Sequence, residues 1–341
     1  MENCHDILFQ TVKQSMAFDP SADYAAWRAD LRKKFIELTG LDAIEQNAAP
    51  DPALKIEFEE KKDGYTLTRF TFASEVGTRV PCYLLIPDTG RPSYPVAITL
   101  QGHSTGFHNS IGQIKFPERD TDYQPRGAFA LQAVREGYAA LCIEQRGMGE
   151  RRPIEKKRDA KMCQYTALTA FLLGRTVLGE RMWDISKAID VLRDRFPLCN
   201  TEQVLITGNS GGGTASFYAA CYDERIKLSV PSCAFCSYQA SILDMFHCSC
   251  NYIPNAYKYF EMQDLSALIA PRPIAVIAGV EDPIFPIDGV KEAYGTLTEI
   301  YRAAGAADRH RLEITPKAHW WCEDIVWKTI HEETEKLGWK H

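Results

Sequence analysis

The 341-residue sequence predicts an α/β protein: one mostly parallel sheet with helices on both faces. Three observations carry that expectation. From residue 95 onward, short continuous apolar runs recur between longer helix-compatible stretches, the look of strands buried on both faces. No repeat, low-complexity tract or Gly/Ser linker divides the chain, which predicts a single domain over residues 1–341. Apolar residues make up 45% and charged residues 25%, the proportions of an ordinary globular protein.

Taken in order, the first sixty residues read as a decoration of that domain. Trp27, Leu31, Phe35 and Leu38 recur at helical spacing from Asp23 onward. Extended segments follow at Leu54–Glu59, Tyr65–Ala73 and Arg79–Ile86, and the Asp63-Gly64 pair between the first two is a hairpin turn signal. The parallel strands are expected at Val96–Leu100, Ala139–Ile143, Val204–Thr207, Leu228–Pro231, Ile274–Ala278 and Leu312–Thr315. Between the second and third, Met182, Ile185, Ile189, Leu192 and Phe196 mark a helix that Pro197 stops. Residues 232–265 interrupt the series with an aromatic, cysteine-rich insertion, placed where a lid or pocket wall would sit.

Bulk properties exclude several classes of function. A net charge of −6 argues against nucleic acid or an anionic membrane as partner. No apolar stretch nears the roughly 18 residues a membrane helix needs. The first twenty residues have no basic region, apolar run or cleavage site of a secretory signal, which predicts a cytoplasmic location. Eleven cysteines are then expected to be reduced and packed as small hydrophobes. Nothing in the sequence speaks to oligomeric state.

Two stretches fit G-x-S-x-G, the pattern of a serine-hydrolase nucleophile elbow: GHSTG at 102–106 and GNSGG at 208–212. The elbow requires a strand, a sharp turn of small residues and a helix that begins at once. Ser210 meets all three conditions, because Gly211, Gly212 and Gly213 lead straight into the helix-compatible Thr214–Tyr222. Ser104 does not: its stretch runs into loop-like sequence, with a helix delayed until about Ala128. Chain order agrees, since the acid and histidine of this arrangement follow the nucleophile, each after a later strand. Asp282 follows Ile274–Ala278, and His319 follows Leu312–Thr315. Asp244 and Glu281 are weaker candidates for the acid. The expected roles are Ser210 as nucleophile, His319 as general base and then acid, and Asp282 as its orienting carboxylate. Gly211 is expected to give one backbone N–H to an oxyanion hole, and His103 or Ser104 of the GHSTG loop the other.

These residues resemble the α/β-hydrolase superfamily, in particular its acetyl xylan esterases, cephalosporin C deacetylases and dienelactone-hydrolase-like esterases. The motifs are QGH at 101–103, EQRGMGER at 144–151, GNSGGG at 208–213, DLSALIAPRPIAVIAGVEDPIFP at 264–286 and AHWW at 318–321, and the resemblance spans residues 80–335. It implies that His103 is the second oxyanion donor. Gln101 stands where the family usually has histidine, Gly211 where the deacetylases carry glutamine, and Glu144-Gln145-Arg146-Gly147 where Asp-x-Arg-Gly is usual. Arg146 is expected as a structural anchor at the site's edge rather than a catalyst, and as a candidate substrate contact.

Trp320 and Trp321, beside His319, are candidates for a flat platform under a sugar or aryl group, with core packing as the alternative. Tyr238, Tyr252, Tyr257 and Tyr259 carry the same ambiguity. Cys233, Cys236, Cys248 and Cys250, with His247 beside them, can be read as a zinc site, but the spacing fits only in part and buried thiols are the better expectation. Serine chemistry calls for neither cofactor nor metal. The expected function is hydrolysis of a small-molecule or oligosaccharide ester, acetate on carbohydrate foremost, through an acyl-enzyme. A lactone, glucuronoyl-ester or peptide hydrolase on the same triad is the alternative, as is a catalytically silent binding protein of the same fold.

Overall fold

The expected strands assemble into one nine-stranded sheet of order β1-β2-β3-β5-β4-β6-β7-β8-β9. The computed structural model describes residues 3–123, 126–153 and 162–340. Strands β1 (Lys55–Lys62), β2 (Tyr65–Phe72) and β3 (Val80–Pro87) form an antiparallel flank, joined at the first turn by Asp63 and Gly64, whose φ of 82° suits glycine. From β5 (Ala139–Ile143) through β4 (Tyr94–Leu100), β6 (Cys199–Asn209), β7 (Ile226–Ser232) and β8 (Ile274–Gly279) to β9 (His310–Thr315), every pairing is parallel. β6 starts five residues before its expected onset because polar Asn200 pairs with Pro95 ahead of the apolar run, across a register shift at Pro95/Val96.

Alternate residues of each strand feed two separate cores. Val96, Ile98, Leu100, Val204 and Ile206 point to one face, under α2 (Tyr24–Thr39), α3 (Leu41–Gln46), α7 (Val177–Arg195), α8 (Gly211–Tyr222) and α9 (Ile287–Ala303). Ala97, Ala140, Leu205 and Ile277 point to the other, under α5 (Phe129–Arg135) and α10 (Glu323–Lys336). Asp23 caps α2 by accepting from the Ala26 N–H, and Gly40 ends it in the left-handed region. The other α-helices among the described residues are α1 (Cys4–Thr11), α4 (Pro117–Tyr123) and α6 (Met162–Leu172). Among the described residues no helix is long and apolar enough to cross a membrane.

The loop-like stretch after GHSTG is more ordered than its sequence suggests. It forms a 3-10 turn over Phe107–Ile111 and then α4, before α5 begins at Phe129. Phe107 supplies the reason, since its ring is fully buried and stacks on Tyr83 at 4.6 Å. The chain leaves β4 toward β5 on one side and returns to β6 on the other, so the sheet's direction of winding reverses between β4 and β6. Loops leaving that point diverge to opposite faces and open a crevice at the strands' C-terminal ends.

Candidate active site

Ser210 lies in that crevice, between β6 and α8, with φ 56° and ψ −124°. Such a backbone costs a non-glycine residue about 1–3 kcal/mol and persists only where its surroundings enforce it. The Ser210 N–H donates to Ser232 O at 2.9 Å, which ties the turn to β7. The flanking glycines let α8 start against the end of β4: a Cβ on Gly208 would lie 2.4 Å from Leu100 O, and one on Gly212 2.1 Å from the same oxygen. Ser210 is thus presented at the N-terminus of a helix whose residues Gly211–Cys221 are all buried, where the dipole favours developing negative charge.

Asp282 and His319 meet across the ends of β8 and β9. A Cβ on Gly279 would lie 2.0 Å from Ala318 O, so glycine is what allows the two loops to pack. Asp282 Oδ1 accepts from the backbone N–H groups of Ile284 (2.8 Å) and Phe285 (3.1 Å), leaving Oδ2 for His319 Nδ1 at 2.9 Å. Burial opposes ionisation of Asp282, but the His319 bond and charge and the two backbone donors together hold its carboxyl below the usual carboxylate range. An ionised carboxylate only accepts, so the proton of this bond is on Nδ1, and in the neutral imidazole Nε2 is the nitrogen left to accept. Asp244 and Glu281 are exposed, and neither bonds His319 among the described residues. The His319 ring stacks on Phe285, centroids 6.0 Å apart.

Ser210 and His319 line one cavity of about 490 Å³, together with Gly102, His103, Tyr123, Arg126 and the insertion residues Met245, Phe246 and His247. Met245, Phe246 and His247 thus place part of the 232–265 stretch against the cavity. Gly102 lies against the elbow, where a Cβ would come 2.9 Å from Asn209 O and 3.2 Å from Ser210 Cβ. Its N–H goes to Tyr123 Oη, whereas the His103 N–H has no acceptor among the described residues. The Gly211 N–H, first in its helix, has no intrahelical acceptor.

The two departures in the loops around β4 and β5 turn out to be partners. Gln101 Nε2 donates to Glu144 Oε1 at 3.1 Å, and Gln145 Nε2 donates to Gln101 O at 2.7 Å. Glu144 also accepts from the Phe107 and Glu150 N–H groups, so one buried carboxyl organises the loop that carries His103. Burial pushes that carboxyl up to about 7, against the backbone donors that lower it.

Two expected substrate contacts, Arg146 and Trp321, need correction. Arg146 does not border substrate: its Nε and Nη2 bond Asp184 at 2.9 Å each, Nη2 also reaches Glu75, and Nη1 lies 3.5 Å from Glu180. It anchors α7 to the loop after β2, outside the cavity. Trp321 is buried at 2% exposure, gives its indole N–H to Gln132 at 2.9 Å and packs on Phe129, so it belongs to the core. Only Trp320 is exposed, with the Arg126 guanidinium 3.7 Å from its ring. The four cysteines of the zinc reading are likewise not together: Cys233 faces Trp320 O and Cys236 faces Pro286 O, while Cys248 and Cys250 lie elsewhere, with Cys163 and His103. Tyr238 pairs with Tyr218 in the core, and Tyr252 bonds Ile242 O.

A family model described as "Abhydrolase family" matches residues 4–311. The chain belongs to the Abhydrolase family. The match ends before His319, whose place rests on the Asp282 contact. A Bacillus subtilis (strain 168) relative of this Abhydrolase chain, named "Putative hydrolase YtaP", is 28% identical over 296 residues, 86% of this chain and 94% of its own. Among solved structures, a Bacteroides fragilis protein described as a "putative acetyl xylan esterase" superposes with a TM-score of 0.81 at 17% identity, covering 97% of this chain and 94% of its own. A glucuronoyl esterase from Solibacter usitatus superposes with a TM-score of 0.66 at 14% identity, covering 95% and 97%. At those identities the shared property is the α/β-hydrolase fold.

Proposed function

We propose that this Abhydrolase chain is a serine carboxylic ester hydrolase that removes small acyl groups, acetate from carbohydrate foremost. The observation that carries this reading is the 2.9 Å Asp282–His319 contact opening onto the cavity that holds Ser210 on its strained elbow. Ser210 Oγ attacks the ester carbonyl as His319 Nε2 takes its proton. The oxyanion that forms is met by the Gly211 and His103 N–H groups. His319 returns the proton to the leaving alcohol, and water, activated the same way, releases the acid from the acyl-serine. Asp282 holds the imidazole in the tautomer the first step needs and stabilises its charged form.

Two things support a carbohydrate alcohol: the fold neighbours that are named as acetyl xylan esterases, and exposed Trp320 with Arg126 at the cavity edge, an aromatic face able to take a sugar ring. The test combines labelling and turnover. A fluorophosphonate probe should add once, on the peptide carrying Ser210, and acetylated xylo-oligosaccharides should release acetate. Addition to Ser104, or no addition at all, removes the serine assignment. Turnover confined to glucuronoyl esters, lactones or peptides keeps the assignment and replaces the substrate.

A further inference from the structure

Behind the oxyanion loop lies a group of side chains that ester hydrolysis does not use. His103 from the loop after β4, Cys163 from the first turn of α6, and Cys248 and Cys250 from the insertion converge so that His Nε2 or Nδ1 and the three Sγ atoms all lie within 4.8 Å of one another. His103 Nε2 is 3.2 Å from Cys250 Sγ. Tetrahedral zinc with Zn–S about 2.3 Å and Zn–N about 2.0 Å places its ligand atoms about 3.5–3.8 Å apart, so these donors need only small adjustments to surround one ion. Cys3His is one of the closed ligand sets of structural zinc.

Arg181 supplies an independent indication. It is fully buried on α7 and forms no ion pair with a carboxylate among the described residues. Its side-chain partners are sulfurs: Nη2 lies 3.2 Å from Cys163 Sγ and Nη1 3.7 Å from Cys250 Sγ, while Nη2 also bonds Arg146 O and Nε has no partner among the described residues. Three neutral thiols would leave a buried guanidinium uncompensated, a costly arrangement. Three thiolates, one imidazole and a divalent ion carry a net charge of −1, which matches the arginine.

We propose that His103, Cys163, Cys248 and Cys250 bind one thiophilic divalent ion, Zn²⁺ by ligand preference, in a closed tetrahedral site backed by Arg181. Binding forms three metal–sulfur bonds and one metal–nitrogen bond, and the three thiol protons go to solvent. The ion joins three segments distant in sequence: the β4 loop, α6 and the pocket-wall insertion. It also fixes the His103 ring against the elbow, since a Cβ on Gly211 would lie 2.9 Å from His103 Nδ1. That second consequence, a metal holding the His103 amide beside Ser210, rests on the function proposed above, whereas metal binding itself does not.

Elemental analysis of the full-length protein purified from zinc-supplemented growth, without an affinity tag that binds metal, should find about one zinc per chain. After exchange, Co²⁺ should give thiolate-to-cobalt charge-transfer absorption together with the intense visible bands of a tetrahedral site. Cys163→Ser and Cys250→Ser should each lower zinc content at least about tenfold, while Cys236→Ser and Cys199→Ser should keep it. Wild-type protein that takes up no zinc and gives no cobalt–thiolate band overturns the proposal, as does a disulfide joining any two of Cys163, Cys248 and Cys250. Both readouts use wild-type protein, so they stand even if a variant fails to fold. Neither measures turnover, so they are unaffected by the fate of the esterase reading.

Discussion

The chain carries one five-residue pattern twice, at the ends of adjacent parallel strands, and builds different things from the two copies. At 208–212 the glycines that follow the serine admit α8 directly against Leu100 O, and Ser210 is forced into a left-handed turn facing the cavity. At 102–106 the next residues are Thr105 and Gly106, and the chain is drawn away by burial of Phe107 and by the Glu144 carboxyl. Ser104 ends as a turn residue whose Oγ accepts from the Gly106 N–H at 3.4 Å and whose carbonyl accepts from Arg152. What separates the copies is the side-chain volume that follows the serine and the partners within reach.

The largest expected effects test the elbow copy. Ser210→Ala, His319→Ala and Asp282→Asn should each lower p-nitrophenyl acetate turnover by about 10⁴-fold, and pairs of these changes should add little to the single ones, because the proposed mechanism has the three act as a unit. A rate within tenfold of wild type in any of them would remove that residue from the mechanism. Asp282→Asn should leave thermal stability nearly intact, so its loss is one of proton placement.

Glycine substitutions probe the two copies as backbone. Gly212→Ala puts a Cβ 2.1 Å from Leu100 O and 2.7 Å from Gln101 O, both backbone atoms that cannot swing aside, and should cost about 3 kcal/mol or more in urea denaturation. Gly102→Ala meets Asn209 O at 2.9 Å and should be milder for stability, but it displaces the elbow and should lower kcat about 10- to 100-fold. Equal stability losses in the two variants would mean that the elbow is no more tightly packed than the loop.

The loop copy has its own pH signature. The folded Glu144 carboxyl titrates at about 7 against an ordinary 4.5, through burial, with the neighbouring Glu150 charge raising it and Arg151 lowering it. A raised folded value means the contribution is complete below pH 4.5 and is lost as pH rises to about 7, a change on the order of 3 kcal/mol. Glu261 and Asp264 are raised by burial too and slope the same way, so the informative quantity is the difference between wild type and Glu144→Gln. That difference should change across pH 4.5–7 and be level above it. A difference that is constant throughout would show that Glu144 ionises normally in the folded chain.

The sequence made the central strands and the Ser210 and Asp282 ends legible for one physical reason: strands buried on both faces are continuous apolar runs, and the residues just after them fall at one edge; β9, the half-buried edge strand before His319, shows itself instead by alternation, Arg311 and Glu313 with Leu312 and Ile314. Helix α4, in the polar stretch PERDTDY, lacked any apolar periodicity to betray it. Arg146 and Trp321 sit next to catalytic-looking motifs, yet whether they face the cavity or the core depends on Asp184, Glu75 and Gln132, all distant in the chain. The Cys3His group was illegible for the same reason, since the apparent C-x-x-C spacing pointed to Cys233 and Cys236 while the actual neighbours, His103 and Cys163, lie far upstream.

The smallest expected effect is the sharpest check on the comparison. Ser104 fits the serine-hydrolase pattern as well as Ser210 does, but its hydroxyl makes one long bond to the Gly106 N–H within its own turn. Neither His319 nor Asp282 bonds it among the described residues. Removing a single partly exposed hydroxyl of this kind costs about 0.5–1 kcal/mol, and Gly106 can give its N–H to water instead. Ser104→Ala should therefore label with a fluorophosphonate as wild type does and keep kcat/KM within about twofold. A loss beyond tenfold with unchanged melting would assign the GHSTG serine a direct part in catalysis, and the division of labour between the two copies would have to be redrawn.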